Sequence, residues 1–355
     1  MRGSRSTYCM TLFAALCGGW GLLFFLQACA QREPSVSVPS VTVHTRPPVT
    51  KASIRGLFLV NDSVGWASGS GGTFLRMVDG ENWTADTIAG YTHCDFRDVH
   101  AFDAQHALLM AAGEEGRIIR TTDGGISWTE VYTRLDSGIF LDGMDFRGTV
   151  GYCFGDPIHG TFVVIRSDDF GSTWEDVSAE LLPRALAKEA GFAASGTGIV
   201  TTDGRCFIAT GGDSVARVMV SEPEAGTWKM VTTPVRSGDG CGIFSLAVTA
   251  KNMVAVGGCY LDSSNAAANC AVSTNGGETW RLIEGDPPRG YRSCVAYAEK
   301  WRLLVACGRT GVDYSTTEGI SWMPLVDEGF YTCALADSTG WMMGKHGKTA
   351  KLRFR

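Results

Sequence analysis

Several patterns that mark common protein classes are scarce in this chain of 355 residues. Lysine and arginine form no run and the formal net charge is −6, so the clustered positive charge that binds nucleic acid is missing. Histidine occurs only six times and no two cysteines have the Cys-x-x-Cys spacing, which argues against a zinc site; no metal or cofactor is predicted. Proline numbers 11 whereas glycine reaches 45, a balance that favours many tight turns over disorder.

The N-terminal segment has the pattern of an export signal. Arg2 and Arg5 precede the apolar run Met10–Leu26, and the letters LQAC occupy positions 26–29 at its end. These four letters resemble a bacterial lipobox, in which Cys29 becomes the lipidated first residue of the mature chain. A transmembrane anchor is the weaker alternative, because three glycines interrupt a run that is already short for a membrane span.

We therefore expect three segments: a signal peptide over 1–28, a lipidated tether over 29–39 and a folded domain over 40–355. Acyl chains on Cys29 would hold the protein at a membrane of the bacterial cell envelope, on its periplasmic or surface face. The predicted membrane contact is through this lipid anchor only.

Nine cysteines follow Cys29, an odd number, and an exported chain can form disulfides. Cys259 and Cys270 bracket a hairpin loop, so they are the predicted pair. Cys294 and Cys333 lie in apolar strands and are predicted to be small core residues. Parity alone leaves at least one unpaired thiol.

A short segment that ends in tryptophan occurs six times. The copies are RMVDGENW (76–83), TTDGGISW (121–128), SDDFGSTW (167–174), SEPEAGTW (221–228), STNGGETW (273–280) and STTEGISW (315–322). They recur roughly every 40 to 55 residues, the period of a propeller blade. The intervening sequence lacks the 3.6-residue apolar period of helices, and its short apolar runs between glycine pairs predict strands and hairpins.

Each repeat contains four predicted strands, which indicates an all-β propeller. In the second repeat they are FRDVHAF, HALLMAA, GRIIRT and TEVYT, with the repeated segment as the turn before the fourth. Only three strands follow the sixth copy, and the segment Ser40–Thr45 can supply the fourth. We therefore predict seven blades closed by an N-terminal strand, with six blades as the alternative.

The repeated segment itself is predicted to be structural. Its aspartate can accept backbone N–H bonds across the turn, its glycine allows positive φ, and its tryptophan packs on the blade. A calcium loop would need further oxygen ligands and a distal acid, which the segment lacks.

Candidate functional residues come from the first strand of each blade, which lines the central channel. Aligning these strands places Arg55, Arg97, Asp142, Arg292 and Tyr331 at one mouth, with Ala193 and Ser245 at the same position of blades 4 and 5. Several guanidinium groups at one mouth suit a carboxylate or phosphate ligand. The alternative is that the arginines pair with neighbouring acids and only satisfy a polar channel.

Further candidates accompany this mouth. Asp98 follows Arg97 and is one of the acids with which it would pair. The loop GDPIHG adds Asp156 and His159, since binding residues are often carried on loops of a rigid scaffold. The longest connection, 183–194, is predicted to contain a short helix over the rim.

With these repeats in view, residues 50 to 355 resemble the Asp-box, or BNR-repeat, propellers of the photosystem II stability/assembly factor family, in particular its non-photosynthetic bacterial relatives. The segments that carry the resemblance are RGLFLVNDSVGWASGSGGTFLR, FRDVHAFDA, GDPIHG, FAASGTG, PPRGYRS and DEGFY. The resemblance implies a binding or assembly platform rather than an enzyme. Its partner would be an envelope protein or an anionic small ligand.

A sialidase-like glycoside hydrolase is the alternative function. Such enzymes also use three arginines, here Arg55, Arg97 and Arg292, together with an acid and a Tyr–Glu pair for which Tyr331 and Glu328 are candidates. The Arg-Ile-Pro motif that these enzymes carry early in the propeller is missing, because Gly-Leu follows Arg55.

Overall fold

The protein folds into a ring of antiparallel sheets. A computed structural model describes residues 39–222 and 226–355, in which 28 strands form seven four-stranded sheets. The predicted all-β, seven-bladed propeller is confirmed, and the six-bladed alternative is wrong. The predicted signal peptide and the lipidation site Cys29 lie outside the described residues.

Six blades consist of four consecutive strands, and the seventh combines the last three strands with the first. The strands of blades 1 to 3 are β2 (Ile54–Leu59), β3 (Gly65–Gly69), β4 (Thr73–Met77) and β5 (Trp83–Thr87); β6 (Asp95–Ala101), β7 (Ala107–Ala112), β8 (Gly116–Thr121) and β9 (Thr129–Arg134); and β10 (Leu141–Arg147), β11 (Val150–Ile158), β12 (Thr161–Ser167) and β13 (Glu175–Asp176).

The strands of blades 4 to 6 are β14 (Ile199–Thr201), β15 (Cys206–Ala209), β16 (Arg217–Ser221) and β17 (Trp228–Thr232); β18 (Cys241–Val248), β19 (Met253–Cys259), β20 (Cys270–Ser273) and β21 (Arg281–Leu282); and β22 (Cys294–Ala298), β23 (Leu303–Gly308), β24 (Gly311–Ser315) and β25 (Met323–Val326). Blade 7 contains β26 (Thr332–Leu335), β27 (Thr339–Met343), β28 (Thr349–Phe354) and β1 (Val41–Arg46). The helical elements of the described chain are four 3-10 turns, at Ala179–Leu181, Tyr260–Asp262, Glu299–Trp301 and Lys345–Gly347.

The ring is closed by the N-terminal strand, as predicted. β1 pairs antiparallel with β28, with Val41 opposite Phe354 and Thr45 opposite Ala350. The strand lies one residue later than predicted, at Val41–Arg46 rather than Ser40–Thr45. Because β1 completes the sheet that contains the C-terminal strand, the two ends of the propeller are held by backbone hydrogen bonds.

The hydrophobic core lies between neighbouring blades. One cluster joins blades 1 and 7 and includes Ile54, Trp83, Trp341 and Met343. Trp341 is fully buried and its ring meets Trp83 edge-to-face at 5.7 Å. The first strand of blade 1 contacts the first strands of blades 2 and 7, so each blade buries its apolar faces only within the ring.

The repeated turn has the structural role that its composition predicted. In the second copy, the Asp123 carboxylate accepts the Ser127 N–H at 2.9 Å, and the Thr121 hydroxyl accepts the Gly125 N–H at 2.9 Å. Gly125 has a φ of 90°, and a Cβ there would lie 2.6 Å from the Phe74 ring of the preceding blade. The turn therefore fastens its own blade and packs against the preceding one.

The predicted helix over 183–194 is absent, and the segment is irregular. Its buried Glu189 accepts hydrogen bonds from the Leu186 N–H, the Thr210 hydroxyl and Nε of Arg217. Ala190 forms an isolated bridge with Gly211 of blade 4. These contacts hold the segment along the blade edge, because its polar groups bond to the neighbouring strands instead of to a helix of its own.

Candidate functional site

A β-bulge near the start of the inner strand orients side chains at one channel mouth. The pairing register shifts around Arg55 in β2, Arg97 in β6, Asp142 in β10 and Phe244 in β18. A bulge leaves one residue unpaired and redirects its side chain. The same irregularity in four blades therefore places four side chains at equivalent points around the ring.

A cavity of about 220 Å³ lies at this mouth, and we call it the channel-mouth cavity. It is lined by Arg55, Arg97, Phe192, Ala193, Ala194, Phe244, Tyr260, Tyr291, Ser293, Arg309 and Tyr331. Among the predicted site residues, the structure thus brings together Arg55, Arg97 and Tyr331. No carboxylate of the described chain belongs to this lining.

Positive charge is concentrated in the cavity. The Arg55 guanidinium lies over the Tyr331 ring at 4.5 Å, and Arg97 donates from Nε to Asp95 at 2.8 Å. Burial, and then the charge of Arg97, lowers the pKa of Arg55 below its ordinary value. Arg55 forms no salt bridge within the described chain. An anion in the cavity would therefore favour its charged form and offset the effects of burial and of Arg97 on its pKa.

An aromatic wall faces these arginines. The Phe192 and Phe244 rings stack at 3.9 Å, and Tyr291 meets Phe244 edge-to-face at 4.7 Å. At the rim, the exposed Arg309 lies 5.8 Å above the Tyr260 ring. A carboxylate on an apolar or aromatic body fits these surroundings, because guanidinium groups bind the charge and the rings pack against the body.

Arg292 lies away from the cavity, inside blade 6. It is fully buried and donates from Nε to Asp313 at 2.8 Å, from Nη1 to the Tyr291 carbonyl at 2.9 Å and to the Thr310 hydroxyl at 3.1 Å. Arg289 binds the other Asp313 oxygen through Nε at 2.8 Å. All of the Arg292 contacts are therefore internal to the fold.

The backbone explains this difference in placement. The Arg292 N–H donates to the Gly257 carbonyl of the preceding blade, as the Ile54 N–H does to Gly344 and the Phe330 N–H does to Gly308. Arg292 thus occupies a position that other blades fill with buried apolar residues. The mouth position of blade 6 is the next residue, Ser293, so the gap-free alignment of first strands was displaced by one residue there.

Asp98 and Asp142 are buried acids outside the cavity lining. Asp98 accepts the Val99 and Met144 N–H groups, each at 2.7 Å, and thereby links blades 2 and 3. Burial raises the pKa of Asp98, and burial together with Asp156 raises the pKa of Asp142. In both cases burial disfavours the charged form of the carboxyl group.

The two loop candidates, Asp156 and His159, are not part of the cavity lining. Asp156 accepts the Gly191 N–H at 2.9 Å, and burial raises its pKa. This contact fixes the segment that carries Phe192 into the cavity. His159 is exposed in the β11–β12 turn, where its φ is 53°.

The predicted disulfide has a different partner. Cys259 bonds to Cys241, whereas Cys270 is a free, buried thiol. Cys241 and Cys259 lie directly opposite each other on adjacent antiparallel strands, with their Cα atoms 4.0 Å apart. Cys270 instead lies opposite Val256, so the loop that separates it from Cys259 in sequence does not bring the two sulfurs together.

Sequence reasoning missed the aromatic part of the site. Phe192 comes from the connection 183–194, and Phe244, Tyr260 and Tyr291 come from blades 5 and 6. Phe244 lies in the aligned first strand of blade 5, where the alignment selected Ser245 instead. An alignment that matched the bulges of the first strands would have selected Phe244 in place of Ser245.

The cavity lacks part of a sialidase-type site. Such a site combines its arginines with an acid and a Tyr–Glu pair, and the described lining contains Tyr331 but no carboxylate. Glu328, the candidate partner of Tyr331, is exposed and lies 3.5 Å from the Lys348 ammonium. Tyr331 instead packs under Arg55.

Comparison with known proteins shows the fold. Neither a protein-family model nor a curated protein matches the chain. A structure of YCF48 bound to a D1 peptide matches at 18% identity and a TM-score of 0.59, covering 88% of this chain and 96% of that one. YCF48 from Cyanidioschyzon merolae matches at 16% identity and 0.61, with 88% and 98% covered.

A GH74 xyloglucanase from Xanthomonas campestris also matches, at 16% identity and a TM-score of 0.61, covering 88% of this chain and 53% of the enzyme. At such identities the likeness concerns the propeller fold. Within the described residues, no helix has the length and apolar character needed to cross a membrane.

Proposed function

We propose that the protein is an envelope-located binding platform that captures an anionic group of a partner protein in the channel-mouth cavity. The observation that carries the proposal is that Arg55 and Arg97 both line a cavity whose described lining contains no carboxylate. A peptide C-terminus, or a small carboxylate, has the charge that this cavity lacks.

The aromatic wall favours a ligand with an apolar group next to its charge. Phe192, Phe244 and Tyr291 form a continuous surface beside the arginines. Peptide binding by a similar fold supports the proposal, since YCF48 has been solved bound to a D1 peptide. For this chain, the partner is inferred from the charge and shape of the cavity alone.

The binding test uses short peptides that end in an aromatic residue, with the C-terminal carboxylate either free or amidated. We expect the free carboxylate to bind, and Arg55→Ala with Arg97→Ala to weaken binding by about 10- to 100-fold, since a hydrogen bond to a charged group is worth about 1.5–3 kcal/mol. Arg147→Ala is the matched control, because Arg147 is exposed and pairs with Asp203 on the surface. Equal affinity for the amidated peptide would contradict the proposal.

The same variants should lose proteins that co-purify from envelope extracts, while Arg147→Ala retains them. A hydrolytic function is tested in parallel on sialosides and acidic oligosaccharides. Turnover that disappears in Tyr331→Phe would replace the binding platform by an enzyme.

We further propose that the chain is anchored by lipid at Cys29, on the sequence grounds given above. Cys29→Ser should move the protein from the membrane fraction to the soluble fraction, because one or two acyl chains supply the anchor. Cys94→Ser is the control, since Cys94 is a buried thiol of the propeller. Unchanged membrane association of Cys29→Ser would refute the anchor without affecting the binding site.

A further inference from the structure

Three cysteines from two blades meet in the interior, far apart in sequence. Cys294 of β22, Cys307 of β23 and Cys333 of β26 are buried, and their sulfur atoms lie within 4.8 Å of one another. Cys294 and Cys307 are opposite each other in blade 6, and Cys333 of blade 7 brings its sulfur to 3.7 Å from that of Cys294. The other four free thiols of the described chain belong to no such cluster.

We propose that Cys294, Cys307 and Cys333 form a three-coordinate thiolate site for one Cu(I) ion that joins blades 6 and 7. Thiolates are soft ligands, and soft ligands select Cu(I), zinc or iron–sulfur clusters. The site would bind a metal within the scaffold and is independent of the channel-mouth cavity.

The separations of the sulfurs fit a trigonal site. A metal–sulfur bond of about 2.3 Å places three sulfurs in a plane about 4 Å apart. The observed 3.7 Å between Cys294 and Cys333, and the 4.8 Å limit for the whole group, bracket this value. Little movement of the strands is therefore needed to bind the ion.

The number of ligands favours Cu(I) over zinc. A structural zinc site has four protein ligands, usually cysteine and histidine. Here the described residues offer three sulfurs and no histidine or carboxylate as a fourth ligand. The polar side chains at Cys294 are hydroxyls: Oγ1 of Thr197 donates to Sγ of Cys294 at 3.5 Å, and Oγ1 of Thr332 does so at 3.9 Å.

Neighbouring donors stabilise thiolate charge. Sγ of Cys294 also accepts the Cys333 N–H at 3.4 Å, and Thr197 is held in place by the Ser195 and Ser245 hydroxyls. Such contacts orient a ligand and increase metal affinity. Cys333 also borders a cavity of about 330 Å³ at the other end of the channel, which supplies an entry path.

Binding involves proton release and no electron transfer. One Cu(I) displaces three S–H protons and forms three Cu–S bonds, which leaves a centre of charge −2 and three protons in solvent. The nearby Arg289 and Arg292 are already matched by Asp313 and Asp327. The charge of the centre is therefore stabilised by the Thr197 hydroxyl and the Cys333 N–H.

The test measures Cu(I) transfer from a chromophoric Cu(I) chelator to the full chain, with a mild reductant that leaves the Cys241–Cys259 disulfide intact. All proteins carry serine at Cys9, Cys17 and Cys29, so that thiols outside the propeller do not contribute. We expect one Cu(I) per chain, and X-ray absorption should show three sulfur ligands.

Serine substitution of Cys294, Cys307 or Cys333 should weaken Cu(I) binding by at least about 100-fold. Loss of a residue that only hydrogen-bonds to a metal ligand already costs about 10- to 100-fold, and these substitutions remove a ligand itself. Cys153→Ser and Cys270→Ser are matched controls, because both remove buried thiols outside the cluster. Circular dichroism and the melting temperature establish that each variant is folded, and Thr197→Val provides a milder change that should weaken binding about tenfold.

Several outcomes would overturn the proposal. They are a binding stoichiometry of zero, an equal loss of binding in the two controls, and retention of four-coordinate zinc in preference to Cu(I). A thiol count that shows a disulfide within the cluster of the freshly purified, reductant-treated protein would also overturn it.

Discussion

The buried Arg292–Asp313 pair allows a quantitative prediction about blade 6. Arg292 and Asp313 are 0% and 1% exposed, and they occupy positions that the other blades fill with apolar side chains. The strand register places Arg292 at the position that Ile243 has in blade 5. Asp313 has the position of Ala271 in blade 5, since Asp313 is opposite Ala306 and Ala271 is opposite the equivalent residue, Ala255. Blade 5 thus shows which apolar pair this part of a blade accepts.

Breaking a buried ion pair from one side costs about 3–5 kcal/mol, because one charge stays buried without its partner. Asp313 keeps Arg289 as a partner, at 2.8 Å, so we expect a loss near the lower limit, about 3 kcal/mol, for Arg292→Ile. For a domain of this size that corresponds to a decrease of about 4–5 °C in Tm. Asp313→Ala should be at least as harmful, since it leaves the fully buried Arg292 without a counter-charge.

The double variant Arg292→Ile/Asp313→Ala copies the blade 5 pair and removes both charges. Replacing a buried ion pair by apolar residues is often neutral or stabilising, so the double variant should recover to within about 1 kcal/mol of the wild type. Urea unfolding followed by tryptophan fluorescence gives the four free energies of this cycle. The reasoning is refuted if the double variant is as unstable as the sum of the single ones. Binding of the free-carboxylate peptide should be unchanged in all folded variants, in contrast to Arg55→Ala.

Two further predictions concern stability. Burial lowers the pKa of His100 to about 3 and raises the pKa of Asp145 to about 7. Unfolded histidine takes up a proton below about pH 6.5, so the contribution of His100 to the free energy of unfolding is lost as pH falls from 6.5 toward 3. Unfolded aspartate loses its proton above about pH 4, so the contribution of Asp145 is lost as pH rises from about 4 through 7. The two trends oppose each other, so in His100→Phe only the Asp145 trend should remain, and the free energy of unfolding should decline as pH rises from 4 to 7. Urea titrations at each pH measure this free energy, and an increase over that range would contradict the prediction. Cys241→Ser removes a crosslink with a sequence separation of 18 and should cost about 3 kcal/mol, whereas Cys270→Ser leaves the disulfide in place. Reductant should bring the wild type down to the stability of Cys241→Ser, and a wild type insensitive to reductant would show that the Cys241–Cys259 bond does not form.

The fold was predictable because a propeller is built from a local unit that repeats. Five of the six copies of the turn are held by side-chain hydrogen bonds between residues a few positions apart, such as Asp123 and Ser127. The missing fourth strand of blade 7 was equally visible, because only one segment before blade 1 alternates in the manner of a strand. Blade number and ring closure therefore followed from counting.

The candidate site was predictable only in part, and the limit lies in the bulges. A bulge adds one unpaired residue, and one residue is enough to move a side chain from the channel mouth to the blade interior. Arg55 and Arg97 were found because their blades share the same register. Arg292 and Ser245 were displaced by one position from the residues that reach the mouth, Ser293 and Phe244.

The sequence by itself determined the strands, the turns, the blade count and the closing strand, because local hydrogen bonding and the alternation of apolar residues specify them. Only the tertiary structure decided which side chains share a site. The aromatic wall around Phe244, the Cys241–Cys259 bond and the cluster of Cys294, Cys307 and Cys333 combine residues from separate strands or blades. Their proximity depends on strand register and on how neighbouring blades pack, and neither is contained in a short stretch of sequence.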